Sequence, residues 1–276
     1  MSKVWFITGA GKGIGHAIAL AALKKGDFVV AATRKENAFS VPDDYKERAI
    51  NLKLDVSDAE LKIYEKAVQT AIDAFGSIDV LVNNAGYGGV TFFEETDEET
   101  IKRMFEVNLF GLMRVTRAVL PAMRKQRSGR IFNIASGAGY SAGPVPYHTS
   151  KFAVTGFSTS LAFEVENFGI NVTNVAPGMF RTNFYDKSSW GIMPDKHIED
   201  YDVYRWQTDF VKDAEKGEQL GDPGKLAEVL VEVAYSANPP LHLPIGEDAP
   251  AVLDGMCEKI KTDMEAWRDK VVRTSF

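Results

Sequence analysis

A short apolar run, Val4-Trp5-Phe6-Ile7, leads directly into Thr8-Gly9-Ala10-Gly11-Lys12-Gly13-Ile14-Gly15. Behind the glycines the pattern turns helical, with Ile14, Ile18 and Ala21 on one face until Gly26. An apolar run without alternation suits a strand buried on both faces. The glycines permit a tight turn and let the backbone approach a pyrophosphate. The helix start behind them offers free N–H groups and the positive end of a dipole. Strand, glycine turn and helix are the context in which such a loop reads as a dinucleotide fingerprint. A chain that opens this way is constrained to a parallel sheet clad in helices.

The remainder repeats the alternation. Further strands are predicted at 27–33, 49–54, 78–82, 130–135, 170–176 and 241–245. Helices are predicted at 57–75 and 97–123, opened by the capping boxes Ser57–Glu60 and Thr96–Glu99. Others run from about 147 to 168 and from the Asp222-Pro223 start to about 236. The polar stretch 37–48 contains Pro42 and reads as a loop. Residues 184–221 show no period and are rich in aromatics, as a binding loop or lid is. Val252, Met256, Ile260, Met264, Trp267 and Val271 recur at helical spacing, which suits core or subunit contact. The pattern predicts an α/β chain: a doubly wound parallel sheet of about seven strands in one domain over 1–276. Within it, 179–221 would be a substrate lid and 249–276 a C-terminal helical extension.

Ligands of such sheets bind at the carboxyl ends of the strands. The glycine loop, Asp55, Asn83-Asn84-Ala85-Gly86, Ser136 and Pro177-Gly178 all fall at predicted strand ends. Tyr147 and Lys151 lie four apart at the start of a helix, hence on one face. An ammonium there favours the phenolate, so the spacing predicts a lowered Tyr147 pKa and an acid–base role. Asn108 lies inside a predicted helix, where Asn is a poor choice; a side chain turned to solvent fits as well as one turned inward. The second strand ends Ala32-Thr33-Arg34, with no acid to meet a ribose 2′-hydroxyl. Arg34 and Lys12 instead suit a 2′-phosphate, which points to NADP(H).

A formal charge of -6 argues against nucleic acid or an anionic membrane as partner. No apolar run is long enough to span a bilayer, and the reading is of a cytosolic protein. The single cysteine, Cys257, cannot form an internal disulfide and has no activating neighbour in sequence. His16, His148, His197 and His242 are scattered, and no spacing suggests a metal site.

Taken together, Thr8-Gly9-x3-Gly13-x-Gly15, Asp55, Asn83-Asn84-Ala85-Gly86, Asn108, Ser136, Tyr147-x3-Lys151 and Pro177-Gly178-x3-Thr182 resemble the short-chain dehydrogenase/reductase family in order and spacing. The resemblance covers residues 4 to about 182. It implies a Rossmann-like sheet of order 3-2-1-4-5-6-7. It implies that Tyr147 exchanges a proton with a carbonyl or alcohol, that Lys151 tunes Tyr147 and holds the nicotinamide ribose, and that Ser136 orients the carbonyl, with Ser141 as the alternative. Asn108 would hold a water of a proton relay. Asp55 and Val56 would meet the adenine, and Asn83, Ala85 and Gly86 would line the adenosine. Gly9, Lys12, Gly13, Ile14, Gly15 and Arg34 would hold the phosphates. Pro177, Gly178 and Thr182 would contact the nicotinamide end. The segment from Ser136 to Tyr147 is about two residues shorter than in many relatives. The function implied is an NADPH-dependent reductase of ketones or aldehydes with sizeable apolar groups, acting reversibly on secondary alcohols. A catalytically silent NADPH sensor is the alternative. Family members often pair through their two long helices, so a homodimer or homotetramer is expected.

Overall fold

A computed structural model describes residues 1–185, 196–205 and 219–274. Seven parallel strands form one sheet in the order β3-β2-β1-β4-β5-β6-β7. They are β1 Val4–Thr8, β2 Phe28–Thr33, β3 Ala49–Lys53, β4 Val80–Asn83, β5 Gly129–Ile134, β6 Ile170–Pro177 and β7 His242–Ile245. The doubly wound architecture and the strand order are those implied by the sequence. Strand ends differ from the predicted ones by one or two residues.

Strand β1 shows why both faces must be covered. Its side chains alternate, and all five residues are buried. Trp5 and Ile7 join one core with helices α1 (Gly13–Lys25) and α6 (Pro223–Tyr235). Phe6 joins the other core, with α2 (Leu61–Phe75), α4 (Leu112–Gln126) and α5 (Val145–Val165). A strand between two helical layers has no polar side to show, hence its unbroken hydrophobic run.

Local expectations are corrected in several places. The box Ser57–Glu60 does not open α2, which begins at Leu61. Ser57 is occupied instead, donating to Asp55 through its N–H (3.0 Å) and its hydroxyl (2.7 Å). At the next helix the cap is Asp97, whose carboxylate accepts from Thr100 N–H at 2.7 Å. The predicted helix 97–123 is not continuous. Helix α3 (Glu98–Phe105) passes through a π turn, Glu106–Gly111, into α4. The extra residue of a π turn shifts the helix face, and Asn108 is thereby buried. Gly111, at the end of this turn, lets the chain pass close to Val56: a Cβ there would stand 2.5 Å from the Val56 carbonyl oxygen. The stretch 37–48 contains a 3-10 turn, Asp43–Arg48.

The C-terminal helix α7 (Ala249–Val271) forms as expected. Its apolar stripe is not core, however. Ile260, Met264, Trp267 and Val271 are all more than half exposed. Of the aromatic segment 184–221, the described parts include short 3-10 turns at Asn183–Tyr185 and Glu199–Tyr204. Trp190, Trp206 and Phe210 lie outside the described residues. Among the described residues, no helix is long and apolar enough to cross a membrane.

Candidate active site

The sheet reverses its winding between β1 and β4, and their carboxyl ends are clasped together there. The Thr8 hydroxyl donates to the Val82 carbonyl (3.3 Å) and accepts from the N–H groups of Asn84 (3.0 Å) and Ala85 (3.1 Å). The Asn84 amide returns two bonds, to the carbonyls of Thr8 (3.0 Å) and Gly9 (3.1 Å). Gly15 makes room for it, since a Cβ at Gly15 would lie 2.4 Å from the Asn84 nitrogen and 2.7 Å from Gly9 O. Gly9 (φ 66°) and Gly13 (φ 60°) adopt left-handed backbone, which only glycine enters without cost.

A cavity of about 850 Å³ opens over these strand ends. That volume lies in the upper range for small-molecule sites. Of the residues singled out from sequence, Gly9, Lys12, Gly13, Ile14, Arg34, Asp55, Val56, Ala85, Gly86, Ser136, Tyr147, Lys151, Pro177, Gly178 and Thr182 line it. Three do not. Gly15 lies beneath the loop and serves the packing just described. Asn83 turns inward, donating to Thr116 Oγ1 and Asn133 Oδ1 at 2.8 Å each; its neighbour Asn84 lines the cavity instead. Asn108 stands behind the wall.

Both ends of the Asn108 amide are engaged. Its oxygen accepts from Tyr87 N–H (3.0 Å), and its nitrogen donates to Tyr87 O (3.0 Å) and Ser150 Oγ (3.1 Å). The side chain fixes the loop after β4 to α5. Gly86 lies directly over it: an added Cβ would sit 3.1 Å from Asn108 Oδ1 and 3.7 Å from Lys151 Nζ.

Helix α5 starts at Val145, with Pro146 in its first turn, and carries Tyr147 and Lys151 into the cavity floor. Ser136, at the end of β5, hydrogen-bonds the Tyr147 hydroxyl. Ser141 instead bonds the Gly137 carbonyl (3.3 Å) and is absent from the cavity lining. The Lys151 ammonium lies 5.8 Å from the Tyr147 ring centre and donates to the Ile134 carbonyl at 2.9 Å. Proximity is as the spacing predicts, but the pKa expectation is not met by the protein's own groups. Burial pushes the Tyr147 phenol up to about 12, against a lesser lowering by the Ser136 hydrogen bond. Burial also pushes the Lys151 ammonium down to about 8. Desolvation is the leading influence on both groups, and it disfavours the charged form of each.

At the opposite end the cavity is rimmed by cations. Arg34 follows β2, Lys12 sits in the glycine loop, and Lys35 and Arg103 join them. Burial raises the Asp55 carboxyl, but the hydrogen bonds from Ser57 and the charges of Arg34 and Arg103 hold it below its ordinary value. Arg103 was not singled out from sequence, because a Lys-Arg pair on an amphipathic helix reads as solvated surface. Phe184 was noted only as one of many aromatics. Its ring centre lies 6.0 Å from that of Tyr147, and with Tyr87 and Phe180 it supplies aromatic wall.

The groove suits an elongated anionic nucleotide. The left-handed glycines and the start of α1 offer N–H groups at its middle, cations rim one end, and paired hydroxyls mark the other. Fold and site together define a dinucleotide-binding α/β protein with a Ser–Tyr–Lys constellation. Comparison with known proteins narrows this. The family model for short chain dehydrogenases matches residues 3–190. Oxidoreductase BOA17 of Botryotinia fuckeliana is 37% identical over 273 residues, covering 98% of each chain. A short-chain dehydrogenase from Streptomyces avermitilis superposes with a TM-score of 0.86 at 35% identity, covering all of both chains. Two further structures carry cofactors: a 3-ketoacyl-(acyl-carrier-protein) reductase from Brucella melitensis with NADH, and ElxO with NADP. The first has a TM-score of 0.72 at 25% identity, covering 87% of this chain and 95% of that one. The second has a TM-score of 0.70 at 28% identity, covering 88% and 96%. The chain belongs to the short-chain dehydrogenase family of oxidoreductases.

Proposed function

We propose that this protein is an NADPH-dependent oxidoreductase that interconverts a ketone or aldehyde and the corresponding alcohol, with Tyr147 as acid and base. The observation that carries the reading is the convergence of the Ser136 and Tyr147 hydroxyls and the Lys151 ammonium at one end of a nucleotide-shaped cavity. NADP(H), when bound, supplies or accepts the hydride, the step that no side chain can perform.

The chain's own residues do the rest. The Ser136 and Tyr147 hydroxyls both donate to the substrate oxygen and stabilise the charge that develops on it. With its pKa near 12, the phenol keeps its proton at neutral pH. A developing alkoxide is more basic still, so proton transfer from Tyr147 runs downhill in the reductive direction. In the reverse direction Tyr147 accepts the proton. Lys151, mostly charged at pH 7 with a pKa near 8, favours the phenolate left behind and would hold the nicotinamide ribose of the bound cofactor. Asn108 contributes as a positioning residue, holding Tyr87 and Ser150 so that Gly86 and Lys151 keep their places. A water relay would use its main-chain carbonyl, since its amide is already bonded.

NADPH over NADH is supported by Arg34, Lys12, Lys35 and Arg103 around the end where a 2′-phosphate would lie, with no carboxylate at the tip of β2. A substrate with apolar groups is supported by Tyr87, Phe180 and Phe184. Neither nucleic acid nor a membrane surface suits a chain of net charge -6. The test is a spectrophotometric panel of ketones, aldehydes and alcohols with NADPH and NADH, run on the wild type and on Tyr147→Phe. The variant should lose about 10³-fold or more in turnover, the scale of a lost general acid, while binding NADPH within a few-fold of wild type. Substantial reductase turnover in Tyr147→Phe would overturn the assignment.

A further inference from the structure

The asparagine that turns away from the cavity, Asn83, opens a polar row across the sheet. Asn83 on β4, Asn133 on β5, Asn174 on β6 and His242 on β7 are register partners on neighbouring strands. The three asparagines are buried, while His242 is exposed. Side-chain bonds run along the row, partly by way of α5. Asn83 Nδ2 donates to Asn133 Oδ1 at 2.8 Å, Asn133 Nδ2 donates to Ser158 Oγ at 2.9 Å, and Ser158 Oγ lies 3.4 Å from Asn174 Oδ1. Asn174 Nδ2 donates to the Tyr140 hydroxyl at 2.7 Å and to Thr155 Oγ1 at 3.1 Å. The Tyr140 hydroxyl also lies 2.6 Å from His242 Nδ1, where the row reaches the surface. Buried amides bring little net stability over apolar side chains. A bonded network of them in a low dielectric does rigidify whatever it joins.

What Tyr140 joins to this row is the turn that carries Ser136. From Ser136 the chain makes one 3-10 turn, Gly137–Gly139, and arrives at Tyr140. The turn is closed on itself. Ala138 N–H donates to Ser136 Oγ at 3.1 Å, Gly139 N–H to the Ser136 carbonyl at 2.9 Å, and Tyr140 N–H to the Gly137 carbonyl at 2.9 Å. It also lies hard against α5: a Cβ at Gly139 would stand 2.7 Å from Thr155 Oγ1 and 2.9 Å from the Lys151 carbonyl oxygen. A stiff turn with Ser136 at one end and a tether at the other passes the position of the tether to the Ser136 hydroxyl. On the reductase reading above, we propose that Tyr140, anchored by Asn174 and His242, is a positioning residue that sets where the Ser136 hydroxyl stands against Tyr147. Tyr140 is absent from the cavity lining, so it acts on the reaction through Ser136 and not on the substrate.

A double-mutant cycle on the full chain reads whether the effect passes through Ser136. Tyr140→Phe keeps the ring beside His242, 6.0 Å between centres, and removes only the tethering hydroxyl. Alone it should lower kcat for carbonyl reduction by about 10-fold, the scale of one or two neutral hydrogen bonds, with KM for NADPH unchanged. In a Ser136→Ala background the same substitution should change kcat by no more than about 2-fold, the ordinary error of additivity. An unchanged kcat in Tyr140→Phe overturns the proposal, and so does an equal loss in both backgrounds. The crystal structure of Tyr140→Phe gives an answer that needs no turnover. The Ser136 hydroxyl should move away from the Tyr147 hydroxyl by about 0.5 Å, since a misplacement of about 1 Å costs about 10²-fold. A Ser136 hydroxyl that has not moved overturns the positioning role. A wild type that reduces no carbonyl with NADPH refutes the reductase reading instead, and the crystal structure then decides the tether on its own.

Discussion

Replacing Lys151 with Met should abolish turnover and yet make the fold more stable at neutral pH. Lys151 is 6% exposed, and its pKa falls from 10.5 to about 8 because burial penalises the ammonium. That difference corresponds to about 3 kcal/mol, the cost of folding with the charge rather than without it. Met fills similar space without charge but gives up the 2.9 Å bond to the Ile134 carbonyl, worth about 1 kcal/mol. The net expectation at pH 7 is stabilisation by about 2 kcal/mol. The pH dependence is sharper evidence. Below pH 8 the lysine is protonated in both states, so the full cost is present. Between pH 8 and 10.5 the unfolded chain holds a proton that the folded chain has lost, and wild-type stability rises with pH. The advantage of the Met variant should therefore shrink through that window and cross zero at about pH 9.5. Above it the wild type wins by its hydrogen bond. Urea unfolding of both proteins without cofactor, at steps from pH 7 to 10, measures the gap, with equal m-values as the check on the comparison. Working with the difference cancels the titration of the other lysines, and the Tyr147 phenol, pushed up to about 12 by burial, titrates above this window. If the Met variant is less stable at pH 7, or if the gap is flat with pH, the claim that Lys151 is held at an energetic cost is wrong. If the claim holds, the lysine is an instance of stability given up for chemistry.

Three other outcomes are expected. Arg34→Ala should reduce the ratio of kcat/KM for NADPH over NADH by roughly 10- to 100-fold, the scale of one lost charge-assisted contact; an unchanged ratio would remove Arg34 from the 2′-phosphate site. Gly15→Ala should destabilise the fold by about 3 kcal/mol, because the new methyl meets the Gly9 carbonyl and the Asn84 amide in a close-packed site, as read by chemical denaturation. Glu95 is fully buried as a side chain and accepts from Arg205 (2.6 Å) and from Ile198 N–H (2.8 Å), anchoring segment 196–205 beside the loop after β4. Arg205 holds the Glu95 carboxyl below its ordinary value of 4.5, so the anchor is intact above that pH and is lost as pH falls through the lower folded value. Proteolysis within 196–205 should rise on acidification in wild type and be high at every pH in Glu95→Gln; a pH-independent wild-type rate would show that the anchor lies elsewhere.

The order of strands and helices was legible because periodicity and turn residues are local properties. Val4–Ile7 could be nothing but a doubly covered strand, and the glycine loop could only follow it. The membership of the cavity was legible for the same reason: the carboxyl ends of parallel strands meet in space wherever their order reverses. Helix details were less legible. A capping box is a competition between local hydrogen bonds, and Ser57 was won by Asp55. The π turn at Glu106–Gly111 and the close approach of Gly111 to Val56 involve contacts far apart in sequence, which no local pattern records.

Sequence alone therefore determined the sheet, the class of ligand groove and the Tyr147–Lys151 pair, which rest on spacing along the chain, while Ser136 joined that pair only through the resemblance to a family. Tertiary structure decided which of two adjacent asparagines faces the cavity, that Asn108 is spent on Tyr87 and Ser150, and that Arg103 joins the cationic rim. It also reversed the expectation for Tyr147. Spacing reports how near a charge is, but desolvation depends on what surrounds the pair from every side, and only the folded chain fixes that.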